Sequence, residues 1–337
     1  MRFVVRVIGA VSLVGLVACS SASQNLGDSA DGGSSVSVGD GGGTRDTGSR
    51  PAEDGSAAGD SAPPHIVASA TTNAPTLSVF DTTACGVLET GSLSCWGTGS
   101  AIHPPTGTFV AVSVGEDNGC AIDAEGALTC WGASGAIKSP PAGTYSMVSL
   151  GYDFACALRM DGAIVCWGGI AQIMAGPFVS LSAGEGTMCG LGVDGGVSCA
   201  ADSNGSDDGI AGAPPAGIFT AVVVGLGVAC AFGMDGTPTC WGNMTGTVQQ
   251  QFVSPPTLGF SEVSMHGGTA GCTLGAGGSL RCWGQEPDPS TQPPGGTFVN
   301  VAAGQNDVCG THTDGTVTCW GDDTDGESNA PPAIFAH

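Results

Sequence analysis

Fourteen of the fifteen cysteines stand in seven pairs, each written as Cys, nine residues, Cys: Cys85 with Cys95, Cys120 with Cys130, Cys156 with Cys166, Cys189 with Cys199, Cys230 with Cys240, Cys272 with Cys282 and Cys309 with Cys319. Thiols at fixed spacing offer zinc ligation, redox exchange or disulfide closure. Structural zinc takes close pairs about two to four residues apart, four ligands from one locality, and the uniform nine-residue gap does not fit. A redox centre built on Cys-x-x-Cys is excluded, because that motif occurs nowhere in the chain. Connectivity among fourteen cysteines is not strictly deducible from sequence, yet pairing within each couple needs no long-range coincidence. A loop this small is worth about 2.5 to 3 kcal/mol on the chain-entropy estimate, so such bridges act as staples.

Other chemistry-bearing residues form no recognisable constellation. His65, His103, His266, His312 and His337 fall at unrelated places with no ligand spacing and read as surface or loop histidines. The run Gly190-Leu191-Gly192-Val193-Asp194-Gly195 matches the dinucleotide fingerprint formally, but it lies between two paired cysteines with no helix to receive a phosphate. No Gly-x-Ser-x-Gly elbow appears. The acids of Asp322-Asp323-Thr324-Asp325-Gly326-Glu327 are the kind of oxygen cluster that hard cations take, and they read first as a structural turn. The expectation is therefore no catalytic residue, no cofactor and no metal.

The cysteines must be positioned by short strands. In the third copy, residues 145–169, an apolar alternating stretch leads to Cys-Ala-Leu, a turn, and a return run ending Cys-Trp-Gly. Six residues after every first cysteine stands glycine: Gly91, Gly126, Gly162, Gly195, Gly236, Gly278 and Gly315. Asp161, Asp194, Asp235 and Asp314 precede four of them. A three-residue hairpin loop needs a positive φ, which glycine adopts without steric cost, and Asp suits the position before it. Such a loop sets the two cysteines opposite each other, with Cα atoms about 4.5 to 5.5 Å apart, inside disulfide range.

Trp follows the second cysteine in six copies, at Trp96, Trp131, Trp167, Trp241, Trp283 and Trp320; Ala200 breaks the pattern. One large side chain at one strand position per repeat is expected to wedge neighbouring units together, and Phe109, Tyr145, Phe178, Phe219, Phe260 and Phe298 are expected to join that core. Successive first cysteines lie 35, 36, 33, 41, 42 and 37 residues apart. Periods of this length, with several short strands and no helical pattern, predict an all-β fold, a seven-bladed β-propeller with one Cys-x9-Cys hairpin disulfide per blade. The first copy has Ala74 where the others have an aromatic, while the chain ends Pro331-Pro332-Ala333-Ile334-Phe335 before its last two residues. The tail is expected to supply the missing piece of blade one and to lock the ring without an exposed sheet edge.

Copies such as CALRMDGAIVCWG and CGTHTDGTVTCWGDDTDGES resemble the repeat of the regulator of chromosome condensation family, over residues 65–337. In length and compactness the repeats look closer to the secreted bacterial member of that fold, the β-lactamase inhibitor protein of the second type. The resemblance implies a seven-bladed propeller with a protein-binding role. The chain departs from the family in its cysteine pairs and in losing most Gly-Gln-Leu-Gly turns, one of which survives in part as Gly326-Glu327.

Arg2 and Arg6 precede an apolar run that closes on Leu16-Val17-Ala18-Cys19. This reads as an export signal ending in a bacterial lipobox, with Cys19 lipidated. Residues 1–19 are thus expected to be a lipoprotein signal peptide, residues 20–64 a disordered tether rich in Gly, Ser, Ala and Asp, and residues 65–337 the propeller. Ser20 rather than Asp after the cysteine points to the outer membrane by resemblance to lipoprotein sorting. Export agrees with disulfides.

The chain carries a formal charge of -23, and within residues 65–337 only Lys138, Arg159 and Arg281 oppose 23 acidic residues. Phosphates have no basic surface to meet, so nucleic acid is not expected as a partner and membrane contact only through the N-terminal lipid. From the Trp position to the next aromatic the chain runs 13, 14 and 11 residues in the first three copies, then 19 in each of the next two. Asp202, Asp207 and Asp208 in the first long segment, and Asn243, Gln249, Gln250, Gln251 and Phe252 in the second, are the candidate partner-binding residues. The expected function is a monomeric, non-catalytic interaction module of the cell envelope that binds a protein or glycan at the cell surface. A β-lactamase-inhibitor-like role, an envelope hydrolase or lyase, and a purely structural surface role are the alternatives.

Overall fold

The computed structural model describes residues 75–202, 209–243, 255, 259–265, 270–284 and 289–337, all within one compact unit, Ala62–His337. Seven antiparallel sheets follow one another along the chain, each an inner, a middle and an outer strand in sequence order. The inner strands of consecutive sheets touch in a cycle that closes between Phe298–Ala303 and Leu77–Phe80, which makes the sheets the blades of a ring. Blade three alone among the described residues adds a fourth strand, Ile173–Met174, against its outer strand Ile164–Gly168.

The hairpins form as their residues dictate. All seven turn glycines have φ between 76° and 84°. In blade three the loop runs Met160-Asp161-Gly162 between Arg159 and Ala163, closed by the Arg159 N–H donating to the Ala163 carbonyl at 2.8 Å. The turn aspartates accept the N–H two residues on: Ala163 to Asp161 at 3.1 Å, Gly196 to Asp194 at 3.0 Å, Thr237 to Asp235 at 2.9 Å and Thr316 to Asp314 at 3.0 Å. Hydrogen bonds from Thr237 and Thr316 hold the Asp235 and Asp314 carboxyls below the ordinary range.

The register places each first cysteine directly opposite its partner, and every couple is a disulfide. The bridges join Cys85 to Cys95, Cys120 to Cys130, Cys156 to Cys166, Cys189 to Cys199, Cys230 to Cys240, Cys272 to Cys282 and Cys309 to Cys319. In all seven the Cα atoms are 4.0 Å apart, closer than the cross-strand spacing expected from the sequence, since a covalent link draws the two strands together. The first cysteines lie in the middle strands and are fully buried. Of the second cysteines, in the outer strands, Cys166 alone is buried; Cys95, Cys130, Cys199, Cys240, Cys282 and Cys319 are half-buried.

The core is a ring of seven apolar clusters, one at each seam between blades. The Trp of one blade reaches into the loop arriving from the previous blade. Trp131 Nε1–H donates to the Ala101 carbonyl at 2.7 Å, Trp167 to Ile137 at 2.9 Å and Trp241 to Ile210 at 2.9 Å. Tryptophan at this position thus wedges apolar surface and satisfies its one donor at once. Phe109, Tyr145, Phe219 and Phe298 are buried in the same seams, while Phe178 and Phe260 are half-buried against them. Opposite each Trp the middle strand carries a small residue, Ala84, Gly119, Ala155, Ala229 or Gly271, except for Val308 in blade seven. Blade four inverts the pair: Ala200 stands opposite Met188, which is fully buried.

Inner strands are sheet edges, and an edge N–H facing the next blade needs an acceptor. Serine supplies it. Ser78, Ser113, Ser149, Ser182 and Ser264, each paired across its sheet with the first cysteine, accept the N–H of Val114, Leu150, Ala183, Val224 and Ala303 in the following blade at 2.9 to 3.1 Å. Blade seven has Ala302 there, and its seam with blade one is joined instead by Asn300 Nδ2–H donating to Thr76 Oγ1 at 2.9 Å.

The C-terminal tail completes blade one. The Phe335 N–H donates to the Gly315 carbonyl at 2.8 Å, as Phe109 does to Gly91 and Tyr145 to Gly126. Phe335 pairs with Leu88, is buried, and packs edge-on against Trp96 with ring centroids 5.7 Å apart. The inner strand of blade one is therefore in two pieces, residues 334–336 from the end of the chain and Leu77–Phe80 from its beginning.

Candidate functional site

Among the described residues, the inner strands of blades one to five and of blade seven each end in a turn to the middle strand. The residue four before the first cysteine occupies that turn: Asp81, Glu116, Tyr152, Glu185 and Leu226 in blades one to five, and Gln305 in blade seven. Asp81, Glu116, Tyr152, Glu185 and Gln305, with Phe80, line a single recess of about 160 Å³. Glycine makes the convergence possible. A Cβ on Gly115 would collide with the Gly151 carbonyl oxygen, and one on Gly151 would stand 2.5 Å from that of Gly184. The turns thus meet backbone to backbone, and the side chains that follow the glycines are brought together at the mouth. Blade one has Phe80 in place of glycine, and Asp81 takes a positive φ of 34°.

The mouth is acidic and its acids repel. Burial, then the charge of Asp325, raises the Asp81 carboxyl; burial, then Asp81, Asp117 and Glu185, raises that of Glu116, against a hydrogen bond from Tyr152. The Tyr152 phenol is raised chiefly by Glu116. Three carboxylates, a phenol and an amide converge here, a lining suited to a cationic group entering from solvent.

Of the candidate partner-binding residues, Asp202 and Asn243 lie at this face. The Asp202 N–H donates to the Gly186 carbonyl at 3.0 Å, beside Glu185, and the Asn243 N–H donates to that of Gly227 at 2.9 Å, beside Leu226. Asp207, Asp208, Gln249, Gln250, Gln251, Phe252 and Cys19 lie outside the described residues. The mouth itself escaped the sequence reading, although its signal is positional: one residue at a fixed offset from each first cysteine.

The acidic segment 322–327 is a turn in which Asp322, Asp323 and Asp325 are engaged by hydrogen bonds from Thr324, Asn329 and Thr98. Asp322 accepts from Thr324 N–H at 3.1 Å and Oγ1–H at 2.5 Å, Asn329 Nδ2–H donates to Asp323 at 2.9 Å, and Thr98 Oγ1–H donates to Asp325 at 3.0 Å. His312 departs from the expectation of a surface histidine. It sits in the middle strand of blade seven, half-buried, its ring centroid 4.2 Å from that of Phe298 and its Nε2 2.9 Å from Thr318 Oγ1.

The ectodomain of the receptor kinase CR4 from Physcomitrella patens is similar to this chain at 24% identity and a TM-score of 0.63, covering 73% of each chain. The CRINKLY WD40 ectodomain of ACR4 from Arabidopsis thaliana gives 23% and 0.64 over 77% of this chain and 96% of that one. Prp20p from Saccharomyces cerevisiae, the yeast RCC1, gives 15% and 0.58 over 78% and 86%. The fold is the RCC1-like propeller. No protein-family model and no curated protein matches the sequence. Seven disulfides mark this RCC1-like propeller as a protein of an oxidising, extracytoplasmic compartment. Among the described residues no helix is long and apolar enough to cross a membrane.

Proposed function

We propose that this chain is an exported, lipid-anchored and non-catalytic binding module, carried on Cys19, that holds a protein partner by a lysine- or arginine-bearing segment at the acidic mouth. The observation that carries this reading is the convergence of Asp81, Glu116 and Glu185 with Tyr152 and Gln305 on one recess. Residues 202–210 and 243–252, including Gln249, Gln250 and Gln251, are the proposed flanking contacts; the backbone bonds that hold Asp202 beside Glu185 and Asn243 beside Leu226 support this reading. Prp20p, of the same fold, is described by its binding to Gsp1p and histones, which agrees with a protein partner for such a ring. The outer membrane is the proposed location.

The test is affinity capture from envelope and secreted fractions of the native organism, using the oxidised chain beside two variants: D81N/E116Q/E185Q, and one with both long segments shortened. A protein retained by the parent, released by salt and lost by the triple variant supports the reading. A partner kept equally by the triple variant overturns the mouth as the binding element.

A further inference from the structure

The seam that closes the ring carries two buried acids that have no ion-pair partner among the described residues. Asp307 opens the middle strand of blade seven, is 1% exposed, and neither carboxylate oxygen has a hydrogen-bond partner outside its own residue. Glu327, in the chain that leaves the same blade, is 3% exposed, and its Oε2 is also without one. The corresponding position in blade two shows the satisfied arrangement: Asn118 Oδ1 accepts the Ser134 N–H at 2.9 Å. Asp307 instead turns Oδ1 toward the inner strands. A Cβ built on Gly304 would lie 2.5 Å from that oxygen and 2.8 Å from Val79 Cγ1 of blade one.

The surroundings add only negative charge. Asp81, Asp322 and Glu327 act on Asp307, and Asp325, Asp323 and Asp322 act on Glu327, so both carboxyls are pushed upward, chiefly by burial. Lys138, Arg159 and Arg281 all belong to other blades. Burying a carboxylate with neither counter-charge nor donor is strongly unfavourable, and the charge of Glu327 adds to that cost at Asp307. The remaining acids of the 322–327 turn are engaged by Thr324, Asn329 and Thr98, which leaves the Glu327 carboxylate as the member that faces inward.

We propose that Asp307 and Glu327 hold one calcium ion at the seam between blades seven and one. The donors are oxygen only, which selects a hard cation, and two carboxylates match a divalent charge. Calcium accepts carboxylates in irregular geometry together with backbone carbonyls, whereas magnesium keeps several waters and suits this dry position poorly. The ion joins the closing elements directly. Asp307 belongs to the last blade, and Glu327 holds Trp96 of the first through its carbonyl at 2.7 Å.

The oxidised full-length chain in chelator-treated buffer at pH 8 is to be melted with increasing calcium chloride, and in parallel with magnesium chloride. The expected result is a saturable rise of ~5 °C or more at about a hundredfold excess over Kd. Magnesium gives a smaller rise, and D307N and E327Q lose the calcium response. No rise in the parent, or an equal rise in both variants, overturns the site. Terbium provides a reading independent of the variants' folding: emission sensitised by excitation of the neighbouring Trp96 and displaced by calcium is expected, and its absence in the parent overturns the proposal.

Discussion

The indole N–H of Trp96 donates to the carbonyl of Glu327 at 2.7 Å, joining residues 231 positions apart. Every other described bond of this kind runs from a Trp to a loop 30 or 31 residues earlier; in blade one the loop comes from the opposite end of the chain. The ring is thus closed by the same contact that joins its blades, made between the two ends. Removing residues 331–337 takes away Phe335 and the strand piece that pairs with Leu88. The expected outcome is a fall of about 10 °C or more in melting temperature, and F335A alone should cost about 3 to 5 kcal/mol in denaturant unfolding.

Met188 and Ala200 exchange sizes across blade four relative to the other blades, and they should be coupled. M188A opens a cavity and is expected to destabilise by about 2 to 5 kcal/mol; A200W overfills the seam and costs about 1 to 3 kcal/mol. The double variant M188A/A200W rebuilds the pattern of the other blades and should recover most of the loss. A double-mutant cycle by chemical denaturation measures the coupling, and simple additivity of the two losses would contradict the exchange.

Each disulfide closes a short hairpin that the Gly-containing turn already favours. Replacing Cys156 and Cys166 together by alanine is expected to lose about 2.5 to 3 kcal/mol and to keep the fold, because the apolar seams on both sides of the blade are intact. Far-ultraviolet circular dichroism with a denaturant titration reads both quantities.

Glu262, in the inner strand of blade six, is half-buried and accepts the Val301 N–H; burial pushes its carboxyl up to about 8. An unfolded Glu titrates near 4.5, so between these values the folded chain binds the extra proton. Its contribution to stability is fully present below about pH 4.5 and is lost as pH rises through about 8. In calcium-free buffer the melting temperature should therefore fall from about pH 5.5 to about pH 8.5, and E262Q should remove that part of the fall. Parallel pH curves for the parent and E262Q would contradict the assignment.

The hairpins, their bridges, the Trp seams and the closing tail were legible in the sequence because each rests on a local or repeated requirement: positive φ at Gly162, Cys166 as the opposed partner of Cys156, one wedge such as Trp131 per blade. Ser78, Ser113, Ser149, Ser182 and Ser264 were not singled out, since a hydroxyl in a strand has many uses and only the neighbouring blade shows which N–H it meets. The mouth was missed for a related reason. Asp81, Glu116, Tyr152, Glu185 and Gln305 differ in type, and no repeated letter marks a position whose meaning is that several blades bring it to one axis. The burial of both Asp307 and Glu327 at the closing seam is likewise a product of the fold, and the spacing of the acids along the chain does not reveal it.

The acidic mouth is proposed to take a positively charged segment. Isothermal titration of the oxidised propeller with a short lysine- and arginine-containing peptide, beside D81N/E116Q/E185Q, tests it most directly. The expected result is saturable binding by the parent that weakens as salt is raised and is lost in the triple variant. Equal binding by parent and triple variant, or binding by the parent indifferent to salt, would contradict the account.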